Sequence, residues 1–522
     1  MIILLLYLTM EKNNDLQNIQ KLIGHFSKHN RKYQCVILEL PIIETIFSSD
    51  RKSNNNPIYG NLDELWSNIL SAITETGSLW IIADDYYNNE KLTKFSFNIA
   101  SHLKKNGFLL RNMIIWYNLQ KQSRDLLTRY RTIIFCTKNM NYRFNLDLVR
   151  EPHIWKDYEW GGGRRSRYNP KGKNPSNFWI KTKSKKGKIL EHLPLSTEEV
   201  LERCFLLSAK KGEDVFVSVK DGTSLKSFEK KIGISCDTIK LHYPDGMDQS
   251  LAKRTTSLNH VKNPTVNKIF NKSSENMKEI KNNSVQLIIT SPPYWGLRNY
   301  QTTKQIGFSD TYEEYLDRLE AVWSECYRTL SKSGSLWINI GKRIIKENML
   351  LLADGVAERA EKVGFVLKDI IIWHKPVSVP TSGKANFTDR YEHVLFFTKD
   401  KRNYYLNREI KDQINDYLDG PLPNLLNVWR IHRRIGNIGK KIMVSKAGKK
   451  IEHTAIYPDE LVRRIIELCS QKNDLVIDPF TGSGTTVSTA NKLGRKWIGY
   501  ELNTSYNELI SWRLNQMLLF KQ

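Results

Sequence analysis

Thr290-Ser291-Pro292-Pro293-Tyr294-Trp295 follows directly on the apolar run Val285–Ile289. Two consecutive prolines stop a strand and stiffen the turn after it. A stiff turn holds its carbonyls as fixed hydrogen-bond acceptors, the Ser291 hydroxyl adds another, and Tyr294 and Trp295 present flat apolar faces. Such a set could grip a planar polar ring, taking its N–H hydrogens on one side and stacking on another. Taken alone, the motif is equally compatible with a turn that does no more than end a strand.

A second stretch, Asp474 to Thr486 (DLVIDPFTGSGTT), reads as a buried strand ending at Asp478, a Gly-Ser-Gly turn and the start of a helix. Glycines let a ligand approach the backbone closely, and in a doubly wound sheet ligands bind at the carboxyl ends of strands, where Gly482 and Gly484 would lie. The next apolar run, Lys496 to Glu501 (KWIGYE), ends on an acid at the distance from the glycine turn where a carboxylate can accept hydrogen bonds from ribose hydroxyls. Each feature has an ordinary structural explanation by itself; together they suit a nucleoside-containing cofactor.

The elements that would hold these motifs are short apolar runs (VQLIIT, SLWINI, DIIIWH, HVLFFT, DLVIDP, KWIGYE) alternating with helical stretches such as Tyr312 to Leu330 and Pro458 to Cys469. Alternation of this kind implies an α/β fold with a mostly parallel sheet covered by helices. The first half of the chain repeats the series in the same order at a nearly constant offset. QCVILELP matches QLIITSPP, Gly77-Ser78-Leu79-Trp80 matches Gly334-Ser335-Leu336-Trp337, and GFLLRNMIIW matches GFVLKDIIIW. Arg129-Tyr130 likewise matches Arg390-Tyr391, Glu191-His192 matches Glu452-His453, and DVFVSV faces DLVIDP. One duplicated domain accounts for all of these pairs. Its boundaries are expected at residues 1–245 and 266–522, with a linker at 246–265.

TSPPYW together with DPFTGSGTT resembles the DNA amino-methyltransferases, in the group whose catalytic motif precedes the cofactor motif. The resemblance extends through IIIWHKP, DRYEHVLFFTK, Val428-Trp429, HTAIYP and GRKWIGYE, and covers essentially all of residues 265 to 515. It implies two tandem Rossmann-like methyltransferase domains, the first degenerate. It further implies an S-adenosylmethionine site at Asp478, Pro479, Phe480, Gly482, Ser483 and Gly484, with Glu501 on the ribose, and catalysis by Ser291, Pro292, Pro293 and Tyr294. An exocyclic amine conjugated to its ring is a poor nucleophile, so acceptors at Ser291 and the Pro292 carbonyl would draw its hydrogens out of plane, while Tyr294 stacks on a base flipped from the duplex. No cysteine stands in the motif, which weighs against methylation of the cytosine ring carbon, a reaction that needs a thiolate. Serine at the head of the motif resembles the cytosine-N4 subgroup; adenine-N6 is the alternative. Relatives carry Gly-Asp before the catalytic strand where this chain reads Asn271-Lys272-Ser273-Ser274, so an acidic contact to the cofactor's adenine is not expected.

In the first half Leu40-Pro41-Ile42-Ile43 replaces the Pro-Pro-Tyr-Trp turn, and SVKDGT replaces DPFTGS. That half is therefore expected to keep the fold without the chemistry. It is expected to retain DNA contact through Gly161 to Leu190, which is dense in Lys and Arg, holds no acid, and is interleaved with Tyr168, Phe178 and Trp179. Arg164, Arg165 and Arg167 are its candidates. Family analogy places target recognition near 404–450, where Arg430, Arg433 and Arg434 have the guanidinium fork suited to guanine edges, and Trp295 is a further candidate contact. Because relatives often pair as dimers, the chain is expected to be a monomer that carries its own partner as an intramolecular pseudo-dimer.

The whole chain has a formal net charge of +25, which points to a polyanion, here double-stranded DNA. Six scattered cysteines without a CxxC pair argue against a disulfide framework and a zinc site, and with them a cytoplasmic location and no metal are expected. The apolar start Met1 to Leu8 is too short to cross a bilayer and lacks a signal peptide's basic flank, so no membrane is expected; Met10 is an alternative initiator. A cognate restriction endonuclease is the expected companion of such an enzyme. A non-catalytic DNA-binding protein would share the basic loops but not the intact second-half motifs, and RNA is a further alternative substrate.

Overall fold

The computed structural model describes residues 16–40, 57–118, 130–151, 171–241, 265–376, 387–407, 426–432 and 457–515, apart from a few single positions, with isolated positions between them and short segments at 442–444 and 450–452. The apolar start, Pro41 to Ile43, Arg164, Arg165, Arg167, Arg433 and Arg434 lie outside the described residues, as do all but the last residue of the expected linker and most of the segment 404–450.

The apolar runs of the first half form strands β1 (Tyr33–Glu39), β2 (Ile73–Ala83), β3 (Leu109–Tyr117), β4 (Tyr130–Thr137), β5 (Phe178–Trp179), β6 (Val215–Lys220) and β7 (Asp237–Leu241). They lie side by side in the order β7-β6-β1-β2-β4-β3-β5. Those of the second half form β8 (Lys268–Phe270), β9 (Val285–Thr290), β10 (Leu330–Ile340), β11 (Val366–His374), β12 (Tyr391–Thr398), β13 (Val428–Arg430), β14 (Leu475–Asp478) and β15 (Lys496–Tyr500). Their order is β8-β15-β14-β9-β10-β12-β11-β13. Apart from β8 at the edge, the two sheets are laid out alike. All neighbours are parallel except β4 and β12, each of which runs against both of its neighbours. The architecture is thus α/β with mostly parallel sheets. Every residue of β9 is buried, as expected of a strand covered on both faces.

The crossover helices begin where the sequence supplies donors and acceptors for their ends. Thr311 caps helix Tyr312–Thr329 and Ser196 caps helix Thr197–Ser208, each in a reciprocal capping box with a glutamate three residues on. Equivalent polar contacts recur inside the two sheets. Trp80 and Trp337 each donate Nε1–H to the serine two residues before, at 3.1 Å in both. Gln34 and Gln286 each donate to a carbonyl of the β2 or β10 hairpin region and to one at a helix end, Ser208 and Cys469 respectively.

One face of each sheet packs into a common apolar core, which includes Met113, Ile115 and Tyr130 of one half with Ile370, Ile372 and Tyr391 of the other. The bonds across it are reciprocal. Tyr130 donates its hydroxyl to the Ile370 carbonyl at 3.0 Å, and Tyr391 donates to the Met113 carbonyl at 2.7 Å. Arg111 reaches the Glu347 carbonyl and Lys368 reaches the Glu90 carbonyl, both acceptors standing at hairpin tips with positive φ. Residue i meeting j′ while j meets i′ is the geometry of a two-fold interface, here within one chain.

Candidate active site

Strands β9 and β14 are parallel neighbours, so the Ser-Pro-Pro-Tyr turn and the Asp-Pro-Phe turn leave the sheet at the same edge. Thr290 ties them, donating its hydroxyl to Asp478 Oδ1 at 2.8 Å. Asp478 is fully buried and also accepts from the Phe480 amide and from the Tyr457 hydroxyl, both at 3.0 Å. Burial pushes its carboxyl above the ordinary aspartate range. Its hydrogen-bonding capacity is spent inside the protein, so it braces the two turns rather than facing a ligand.

The glycine turn is built for close approach. Gly482 and Gly484 have φ of +52° and +81°, a region that L side chains rarely adopt. Gly499 on β15 lies so near the turn that a Cβ there would sit 2.4 Å from Thr481 Oγ1. Glu501 then closes the turn from below, accepting the amides of Gly482 and Asn503, each at 2.8 Å. Burial, against these two bonds, raises its carboxyl pKa to about 7.

A cavity of about 340 Å³ runs along this edge, from Ser274, Phe480, Gly482 and Glu501 at one end to Ser291, Tyr294, Lys375 and Glu392 at the other. At the first end, the buried Ser274 hydroxyl has no hydrogen-bond partner among the described residues. An adenosine-containing cofactor fits these residues: Glu501 retains lone pairs for ribose hydroxyls, Phe480 offers an apolar face, and Ser274 offers an unmet polar group. Lys272, in the stretch Asn271 to Ser274, pairs with Glu279 at 2.8 Å.

At the other end the Tyr294 hydroxyl is bonded to Ser291, Asn339 and Glu392, the last at 3.1 Å. Burial, and then the Glu392 carboxylate, hold its pKa well above the ordinary phenol value, so it stays protonated. Lys375 donates to Glu392 Oε1 at 2.6 Å, and Asn339 donates to Oε2 at 2.8 Å. Although burial opposes it, Lys375 holds the Glu392 carboxyl below the usual range. The Pro293 carbonyl accepts from Tyr315 at 3.0 Å, whereas that of Pro292 carries no bond among the described residues. The Asn339 Oδ1 atom is buried and has no hydrogen-bond partner among the described residues. Acceptors for an amine therefore converge with a cationic donor, Lys375, in one cleft.

Of the residues expected from sequence, Ser291, Pro292, Pro293, Tyr294, Pro479, Phe480, Gly482, Ser483 and Glu501 line this cavity. Asp478 and Gly484 stand behind it; Gly484 begins helix Thr485–Lys492 against Ile510. Trp295 turns away, donating to the Asp310 carbonyl at 2.8 Å and packing edge-on against Tyr312. Arg430 ends β13 in register with His374, away from the cavity lining. Sequence reasoning gave no role to Asn339, Lys342, Lys375, Asp389, Glu392 or Tyr457. Lys375 and Glu392 stood inside the IIIWHKP and DRYEHVLFFTK runs, where a buried lysine or glutamate in an apolar run is the signal that could have singled them out.

Strand register shows what occupies the matching place in the first half. Glu39, the last residue of β1, stands where Ser291 follows β9, Arg131 faces Trp116 as Glu392 faces Trp373, and Asp84 stands where Gly341 does. Arg131 binds Glu39 at 2.7 Å and Asp84 at 2.9 Å, and its side chain is 7% exposed. Burial opposes the charge, but Asp84 and Glu39 keep the guanidinium pKa above its usual value. In the second half a Cβ on Gly341 would come 2.8 Å from the Tyr294 ring. An ionic triad thus stands in the first half where the second has a serine, a glutamate and a glycine.

A family model described as DNA methylase matches residues 33–216 and 285–511, most of the chain. The chain belongs to this family, and S-adenosylmethionine is its methyl donor. Among similar proteins, the type II methyltransferase M.Cfr9I of Citrobacter freundii is 30% identical over 267 residues, covering 46% of this chain and 84% of the relative. M.MjaI of Methanocaldococcus jannaschii, also a type II methyltransferase, is 31% identical over 283 residues, covering 47% and 90%. The solved structure of the PvuII DNA methyltransferase, described as cytosine-N4-specific, is 24% identical, with a TM-score of 0.39 over 47% of this chain and 85% of that one. Among the described residues, no helix is long and apolar enough to cross a membrane.

Proposed function

We propose that this protein transfers a methyl group to the exocyclic N4 amine of cytosine in duplex DNA, acting on a base flipped out of the helix. The observation that carries the reading is the convergence in one cleft of the Ser291 hydroxyl, the unbonded Pro292 carbonyl and the Lys375 ammonium. Cytosine presents an amine beside two acceptors, N3 and O2. Serine and the carbonyl would take the amine hydrogens, and Lys375 would donate to the acceptor edge; adenine has a C–H where cytosine has O2. A neutral hydroxyl at position 291 leaves the amine less polarised than a carboxylate would, and the fixed turn compensates by orientation.

S-adenosylmethionine supplies an electrophilic methyl group. Glu501, the Phe480 ring and the glycine turn would hold it at one end of the cavity, while Ser291 and the Pro292 carbonyl pull the amine hydrogens so that the nitrogen lone pair faces along the cleft. Tyr294 would form the wall on which the ring stacks, its hydroxyl fixed by Asn339 and Glu392. The first half, with its site filled by Glu39, Arg131 and Asp84, would not catalyse but would complete an intramolecular pseudo-dimer that grips DNA. A role as the modification component of a restriction system, beside a cognate endonuclease, is in keeping with the type II relatives.

The test is mass spectrometry of nucleosides from plasmid DNA incubated with the protein and S-adenosylmethionine. N4-methylcytosine is expected; N6-methyladenine would keep the chemistry and overturn the base, and no methylated nucleoside on varied DNA would overturn the enzyme reading.

A further inference from the structure

We infer that Asn177, a residue of the first half, is a positioning residue for the methyl-transfer pocket of the second. It is fully buried just before β5, where residues 175–178 run along residues 387–390. Two backbone hydrogen bonds join the segments, Thr388 N to Pro175 O at 2.9 Å and Asn177 N to Thr388 O at 3.0 Å, and together form a parallel bridge between Ser176 and Thr388. The Asn177 side chain then spans the boundary, donating Nδ2–H to Asp389 Oδ1 at 3.1 Å and accepting the Arg390 amide on Oδ1 at 2.9 Å.

Asp389 is where this contact reaches the pocket. Its carboxylate opens into the cavity, binds Lys342 Nζ at 3.1 Å and faces Lys375 Nζ at 3.9 Å. The backbone of Lys375 is fixed by the same segment, its amide donating to the Arg390 carbonyl at 2.6 Å. His374 alongside is stacked on Phe178 of the first half at 3.9 Å and 7°. The lysine that meets Glu392 thus lies beside Asp389 and next to His374, which Asn177 and Phe178 of the first half contact in turn.

Asn427 occupies the corresponding place before β13, its carbonyl bonding to β11 as that of Asn177 bonds to β3. Its side chain donates to Asp369 of its own half at 3.2 Å. Through Asp389, Asn177 sets the position of the Lys375 ammonium, and with it the alignment of the target ring.

The inference rests on the reading of this cleft as the target-base pocket, and the experiment separates the two. Steady-state methylation of plasmid DNA would be measured for the full chain and for Asn177→Ala, Asn177→Asp, Asn177→Asp with Asp389→Asn, and Lys375→Ala, with S-adenosylhomocysteine affinity and thermal midpoint taken alongside. Displacements of the order of an ångström cost roughly 10- to 100-fold in rate. Asn177→Ala and Asn177→Asp are expected to lower kcat by about that factor with KM for the cofactor and S-adenosylhomocysteine affinity unchanged. The exchange of donor and acceptor in the double variant is expected to recover about tenfold over Asn177→Asp alone, a rescue that a merely structural role would not give. Wild-type kcat in both single variants beside a crippled Lys375→Ala would overturn the inference, as would absence of rescue. A Lys375→Ala protein with wild-type kcat would overturn the underlying reading of the pocket. If Asn177→Ala fails to fold, the comparison of Asn177→Asp with the double variant decides.

Discussion

Ser291 and Glu501 carry opposite ends of the reaction at the scale of single residues. Replacing Ser291 by alanine removes one acceptor for the amine together with the bond to the Tyr294 hydroxyl, so the rate of methyl transfer should fall by about 100-fold or more while S-adenosylhomocysteine binds as before. Single-turnover transfer and calorimetry would show the two effects separately. Glu501 has a raised pKa of about 7 because it is buried beside Asp478. A carboxyl whose pKa is raised on folding stabilises the folded state fully below its unfolded value near 4.5, and loses that contribution as pH rises through 7. The unliganded protein should therefore lose on the order of 3 kcal/mol of stability across that window, and Glu501→Gln should flatten the profile in urea unfolding. Cofactor binding has the reverse dependence, since ribose hydroxyls donate to the ionised form: affinity for S-adenosylhomocysteine should rise between pH 6 and 8 in the wild type and stay level in Glu501→Gln.

At the scale of elements, the site depends on how closely two strand ends and one loop can approach. Gly341 at the end of β10 leaves room for the Tyr294 ring, and Gly341→Ala would force that ring aside. Overpacking of this kind costs about 1–3 kcal/mol, and the displaced ring should depress methylation more than it lowers the thermal midpoint. A variant with both stability and activity intact would show that the ring has no fixed place. The motifs on β9, β14 and β15 were legible in the sequence because each is local: a run of buried residues followed by prolines or glycines. Their joining was not. The Thr290–Asp478 bond and the Lys375–Glu392 pair depend on the strand order and on the reversal of β12, which come from long-range pairing that no local pattern records. For the same reason Asp478 read as a ligand contact, though the structure sets it behind the turn, and Trp295 read as a stacking face, though it packs against Tyr312.

Over the whole molecule, the repeat in the sequence corresponds to two sheets of like order sharing one apolar core. The interface follows a rule that the repeat alone did not convey: Tyr130 and Tyr391 make reciprocal bonds across it, at residues that occupy matching places. Tyr130→Phe and Tyr391→Phe should each cost about 1 kcal/mol, adding in the double variant, in a single cooperative unfolding transition for the full chain. Two separated transitions would mean that the halves do not fold as one unit. In the first half the ionic triad of Glu39, Arg131 and Asp84 takes the places held by Ser291, Glu392 and Gly341 in the second. The most direct test of this account is the stoichiometry of S-adenosylhomocysteine binding to the full chain by isothermal titration calorimetry, with Gly499→Val alongside. One ligand per chain, lost in Gly499→Val, is the predicted result; two per chain, or one that survives the substitution, would contradict it.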